Sequence, residues 1–103
     1  MKIFDKAAWQ IDGGVSFNDV KRHFELVIKW LEKRNLLSSD GREISDIGVD
    51  ESFSLNESMV TGEGADFLEQ YYDELIKRSQ YDTSVEEKLL TDFYLQFKKN
   101  KGL

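Results

Sequence analysis

The sequence predicts a mostly α-helical fold, a small bundle of three or four helices with an N-terminal extended arm or short strand. Three segments repeat apolar residues with the period of an amphipathic helix. Each segment carries acidic residues near its start and basic residues near its end, an order that complements the helix dipole. The chain contains no proline, the residue that most strongly breaks helices. Its 103 residues predict one helical domain over 1–103.

The N-terminal segment shows neither a clean helical period nor a clean strand period. Residues 2–11 are therefore predicted to form an extended arm or a short strand. We expect Trp9 to pin this arm onto the bundle, and the alternative is that Trp9, like Trp30, is an exposed anchor for a binding partner. The segment Asp12-Gly13-Gly14 predicts a turn, because glycine adopts positive φ without a steric penalty.

The first long helix is predicted at about residues 17–34. Ser16 precedes it and fits an N-cap, with Asp19 three residues later. Asn35 fits the left-handed residue that often follows a helix. One face of the helix is apolar, and the residues on that face are Val20, Phe24, Val27 and Leu31.

The segment from Leu36 to Thr61 has no regular period. Ser38-Ser39-Asp40-Gly41 has the composition of a turn. Ser54-Leu55-Asn56-Glu57 matches a capping box and predicts one helical turn. Because a long structureless loop is unusual in so small a protein, short helical turns are expected within residues 42–60.

Two further long helices are predicted at about residues 61–79 and 84–99. Thr61 fits the N-cap of the first, and Ser84 followed by Glu87 forms a capping box for the second. The apolar face of the 61–79 helix covers about half its circumference, which indicates packing against neighbours on two sides.

Composition limits the compartment and the partners that we expect. The chain has no cysteine, which fits a reducing compartment. Its opening residues lack the apolar segment of a signal peptide, so we expect a cytoplasmic protein. The net charge of −6 argues against nucleic acid and anionic membrane as partners, because both repel an acidic surface.

The acidic charge is concentrated in the middle of the chain. Residues 42–75 contain one arginine and ten carboxylates, for a net charge of −9. This layout favours a non-enzymatic protein–protein interaction module, of the kind found in immunity or inhibitor proteins, whose partner is basic. Asp46, Asp50 and Glu51 are the predicted partner-binding residues. The alternative is that these acids only keep one face soluble.

Two other functions stay open. Residues 46–57 partly match a calcium-binding loop, with Asp46, Asp50 and Glu57 as weak candidate ligands for a divalent metal or a small ligand. Glu51 stands where such a loop needs glycine. The broad apolar face of the 61–79 helix could also form a structural homodimer.

Enzymatic activity is not expected. His23 is the only histidine, and it lies at the flank of an apolar face without a surrounding motif. It is therefore interpreted as a boundary residue with one ring nitrogen hydrogen-bonded. The paired carboxylates, such as Glu63 with Asp66, lie on solvent-facing positions and would make poor general acids. No catalytic residue and no cofactor are predicted.

The opening Asp5-Lys6-Ala7-Ala8-Trp9-Gln10, followed by a glycine pair and an amphipathic helix, resembles a group of short bacterial proteins. They share an Asp-Lys-Ala-x-Trp opening and form a domain family of unknown function. Gln10 replaces the histidine of that motif. The resemblance covers about the first third of the chain; it implies a bacterial, cytoplasmic origin and no established activity.

Overall fold

The computed structural model describes residues 1–102 and shows a mostly helical protein with one small sheet. In chain order the elements are β1 (Ile3–Lys6), α1 (Ala7–Asp12), α2 (Phe17–Lys33), α3 (Ser39–Ile47), β2 (Ser54–Asn56), a 3₁₀ turn (Glu57–Met59), α4 (Gly62–Ser79) and α5 (Thr83–Asn100). The predicted fold class, a helical bundle with an N-terminal short strand, is confirmed.

The three long helices begin and end close to their predicted positions, because local signals define their ends. The hydroxyl of Ser16 accepts a hydrogen bond from the Asp19 N–H at the start of α2, and Asn35 follows the helix with φ of 57°. Thr61 caps α4 in the same way. The N-cap of α5 is Asp82, not the predicted Ser84, because the Asp82 carboxylate accepts from the Ser84 and Val85 N–H groups in the first turn of the helix.

The N-terminal segment divides into two elements. Ile3–Lys6 is the expected strand, and it pairs antiparallel with Ser54–Asn56. The following residues, Ala7–Asp12, form a short helix that the sequence pattern did not predict. The prediction for Trp9 was wrong: its side chain is 54% exposed, and strand pairing holds the segment in place instead.

The segment between α2 and α4 differs most from the predictions. Ser38–Gly41 was predicted as a turn, but it begins helix α3, and the Ser38 hydroxyl accepts from the Gly41 N–H. Ser, Asp and Gly serve both turns and helix caps, so composition alone did not separate the two. Ser54–Asn56 is a strand because it pairs with β1, and the helical turn follows it, capped by Asn56.

The hydrophobic core is formed by α2, α4 and α5 together with buried residues of the segments between them, among them Leu37, Leu55 and Met59. The predicted apolar face of α2 is fully buried, and each of its large side chains contributes roughly 1.5–3 kcal/mol through burial. Aromatic rings fill the contact with the other two helices; Trp30 stacks on Phe67 with ring centroids 5.3 Å apart, and Tyr94 meets both rings edge-on. The segment that contains α3 and β2 is therefore attached at both ends to helices of this core, α2 before it and α4 after it.

Candidate functional site

Half of the acidic side chains in residues 42–75 have a partner from a distant or neighbouring part of the fold. Four of the ten form ion pairs with lysine or arginine, and the Glu57 carboxylate accepts from the Lys2 backbone N–H at 2.9 Å. The four ion pairs are Lys2–Glu69, Arg78–Glu74, Lys98–Glu63 and Lys101–Asp66. At Glu63, hydrogen bonds from Lys98 and Tyr94 lower the pKa of the carboxyl group. The four ion-paired acids therefore add little free negative charge to the surface.

The remaining carboxylates are concentrated in one place. Glu43, Asp46, Asp50 and Glu51 are exposed and form no ion pair within residues 1–102. They lie on α3 and on the loop that follows it, and we call them the acidic patch. The other acids of residues 42–75 without an ion pair in the described chain are Asp73 and Glu57, and Glu57 accepts the Lys2 backbone N–H. The fold thus separates the charge-compensated acids from a compact group that is free to attract cations.

An apolar side chain lies in the middle of the acidic patch. Ile47, the last residue of α3, is 77% exposed, next to Asp46 in sequence and four residues before Glu51. It shares a shallow cleft with Asp50 and with Lys21 of α2. Protein-binding surfaces frame an apolar contact with a polar rim, and Ile47 among these charged groups has that arrangement.

The acids proposed as metal ligands are not brought together. Asp46 belongs to α3, whereas the Asp50 carboxylate accepts from the Ser52 N–H at 2.9 Å and from its hydroxyl at 2.6 Å. These bonds lower the pKa of Asp50. Glu57 is bound to Lys2, at the far end of strand β2. Among residues 1–102, no group of three histidine, cysteine, aspartate or glutamate side chains is arranged to hold a metal ion.

A chain of buried polar side chains crosses the core, and sequence reasoning did not find it. The Tyr72 hydroxyl donates to the Asp5 carboxylate at 2.6 Å and lies 2.7 Å from Nε2 of His23. Nδ1 of His23 lies 2.9 Å from Oε1 of Glu86. All four side chains are 5% exposed or less, and we call them the buried chain. It connects β1, α4, α2 and α5.

The hydrogen bonds assign protons along the buried chain. Since the Tyr72 hydroxyl donates to Asp5, its oxygen accepts from His23, so Nε2 carries a hydrogen. A second hydrogen must then lie between Nδ1 of His23 and the Glu86 carboxyl group, on one or the other. Burial, followed by the charge of Asp5, raises the pKa of Tyr72 well above its usual value, so this hydroxyl stays protonated.

His23 was predicted to be a boundary residue with one bonded nitrogen, and that prediction was wrong. Its side chain is fully buried and both nitrogens are bonded. The signal for the buried chain was present, because Glu86 lies four residues before Leu90 and therefore on the apolar face of α5. Which side chains bond to each other could not be predicted from the sequence, since the bonded residues are 49 to 67 positions apart.

The buried chain is built to hold elements together. Its groups are closed off from solvent, and the Oε2 atom of Glu86 has no hydrogen-bond partner in the described part of the chain. A substrate could not contact these groups without opening the core. The acidic patch, by contrast, is exposed and uncompensated, and it contains Asp46, Asp50 and Glu51, the residues that the sequence singled out.

Comparisons of this chain with protein families, with curated proteins and with solved structures found no match. The resemblance of the opening segment to a bacterial family therefore stays a prediction. Within residues 1–102, no helix combines the length and the apolar character that crossing a bilayer requires.

Proposed function

We propose that the protein is a non-enzymatic binding module that engages a basic protein partner through the acidic patch. One observation carries this proposal: of the ten acids in residues 42–75, the four at Glu43, Asp46, Asp50 and Glu51 are clustered, exposed and without an ion pair in the described chain. Clustered, uncompensated carboxylates attract a basic surface over a distance of about a Debye length, roughly 10 Å at 0.1 M salt.

Ile47 supports the proposal because it offers an apolar contact to a partner. A charged surface speeds association, but affinity depends on apolar side chains that lose water in the complex. Ile47 is 77% exposed and supplies such a contact among the carboxylates. A partner that combines lysine or arginine side chains with an apolar recess would fit this arrangement. Immunity and inhibitor proteins of basic targets share this chemistry.

The test is affinity capture from the lysate of the source organism at low and at moderate salt, followed by binding measurements with the purified partner. In the first variant, Asp46, Asp50 and Glu51 are each changed to lysine. In the matched control, Asp12, Glu87 and Asp92, which are exposed and lie outside residues 42–75, are changed to lysine. Both triple variants change the net charge equally, and circular dichroism checks that each stays helical.

We expect the patch variant to lose at least about tenfold in affinity for the partner, and the control variant to stay within about threefold. Ile47→Ala should lower affinity mainly through faster dissociation, because it removes a contact and no charge. Equal losses in both triple variants would show a non-specific charge effect and overturn the proposal. Sedimentation at two protein concentrations decides whether the captured partner is a second copy of the chain.

A further inference from the structure

A cleft of about 370 Å³ lies between α2 and the start of α5, and it differs in charge from the rest of the molecule. Four basic side chains line it: Arg22, Lys29, Lys33 and Arg34. Three of them are on α2 at spacings of seven and four residues, so they project from one side of the helix. In a chain of net charge −6, this cleft gathers four of fourteen basic residues, and we call it the basic cleft.

The positive charge of the basic cleft is only partly compensated. Arg22 forms an ion pair with Asp19, and the carboxylates of Glu25 and Glu87 also line the cleft. Lys29 and Lys33, by contrast, have no ion-pair partner in residues 1–102. The lining therefore keeps an excess of positive charge that can receive an anion.

Arg34 is held in position at the cleft. Its guanidinium carbon lies 4.0 Å from the centre of the Trp30 ring, and one of its N–H groups donates to the Thr91 hydroxyl at 3.3 Å. The Trp30 indole N–H donates to the same hydroxyl at 3.2 Å. A guanidinium fixed by stacking and by one hydrogen bond keeps its other N–H groups available. Such a fork binds two oxygens of a phosphate or carboxylate at once.

We propose that the basic cleft binds a small organic phosphate, with the phosphate near Arg34, Lys29 and Lys33 and the apolar part of the ligand against Leu26. A phosphate monoester carries a charge of about −1.5 to −2 at pH 7 and three strong acceptor oxygens. It therefore matches one fork and two flexible ammonium groups, whereas a carboxylate offers one charge and two oxygens. This site is separate from the acidic patch and does not depend on the proposed function.

The probe is phenyl phosphate, which is titrated into the protein while NMR records the chemical shifts of the indole N–H signals of the two tryptophans. Trp30 lines the cleft and should shift on binding, whereas Trp9 lies elsewhere and reports non-specific effects. We expect saturable binding of phenyl phosphate, weaker binding of inorganic phosphate, which lacks the apolar group, and weaker binding of benzoate, which carries one charge. Benzoate binding as tight as that of phenyl phosphate would overturn the assignment of a phosphate ligand.

Two sets of variants test the residues. The double change Lys29→Gln and Lys33→Gln should weaken phenyl phosphate binding at least about tenfold, and the matched change Lys88→Gln and Lys99→Gln should alter it less than about twofold. All four lysines are exposed, so both proteins should fold. Arg34→Lys keeps the charge and removes the fork, so it should weaken binding without abolishing it. Equal losses in the two double variants, or shifts that never saturate, would refute the site.

Discussion

Removing the Tyr72 hydroxyl tests whether the buried chain stabilises the fold. Tyr72→Phe keeps the ring in the core but deletes the atom that lies between Asp5 and His23. Asp5 keeps its hydrogen bonds from Gln10 and from the Lys6 N–H, whereas Nε2 of His23 loses its only partner in the described chain. A buried polar group left without a partner costs about 1–3 kcal/mol, and more where the group is charged.

Tyr72→Phe leaves Nε2 of His23 without a partner and removes one of the three hydrogen bonds to Asp5, so the free energy of unfolding should fall by about 2–5 kcal/mol. Total stability for a chain of this size is about 5–15 kcal/mol, so the loss is a large fraction of it. The midpoint of thermal unfolding should decrease by roughly 8–40 °C, at about 4–8 °C per kcal/mol for a small domain. Denaturation in urea, followed by circular dichroism and with an unchanged m value, measures the difference directly.

The adjacent tyrosine is a matched control for this substitution. The hydroxyl of Tyr71 makes no side-chain hydrogen bond within residues 1–102, and its ring stacks on Phe93. Tyr71→Phe should therefore change the free energy of unfolding by less than about 0.5 kcal/mol. If Tyr72→Phe were as stable as Tyr71→Phe, the hydroxyl would contribute nothing, and the argument from unsatisfied buried groups would be refuted.

Two further predictions concern backbone packing and alkaline pH. A Cβ on Gly41 would collide with the Met59 carbonyl, so Gly41→Ala should destabilise the protein by about 2–4 kcal/mol. Gly62 is at an open helical position, so Gly62→Ala should be neutral or stabilise by up to about 1 kcal/mol. Urea denaturation measures both changes, and equal effects of the two substitutions would contradict this reasoning. Burial raises the pKa of Tyr81 to about 12 and that of Tyr72 well above its usual value, so both residues hold protons in the folded state that they lose in the unfolded state. The contribution of Tyr81 to stability is therefore fully present below about pH 10 and is lost as pH rises through 12, and replacing Tyr81 by Phe should flatten the fall in unfolding free energy measured over that range.

The long helices could be predicted because their determinants are local. An apolar face repeats within each helix, and a capping residue such as Ser16 or Thr61 lies directly before it. These signals act over three or four residues, so no knowledge of neighbouring elements is needed to read them. The same local reading placed Asn35 in the left-handed region that the structure shows.

Helix α3 and strand β2 could not be predicted in this way. Position 41 of α3 needs a glycine because the Met59 backbone packs closely against it, leaving no room for a Cβ. That contact joins residues eighteen positions apart in the sequence. Ser54–Asn56 is extended because its partner is Ile3–Lys6, about fifty residues earlier. In both segments the local composition fits more than one structure, and packing against a distant element selects one of them.

The sequence by itself determined the fold class, the three long helices and the concentration of acidic charge in residues 42–75, because each of these depends on residue type and short spacing. Only the tertiary structure decided which of those acids are free, since Glu69 and Glu63 are neutralised by Lys2 and Lys98 from opposite ends of the chain. It likewise decided that His23 is buried, because a hydrogen-bonded partner can offset the cost of burying a polar ring only after distant elements have come together.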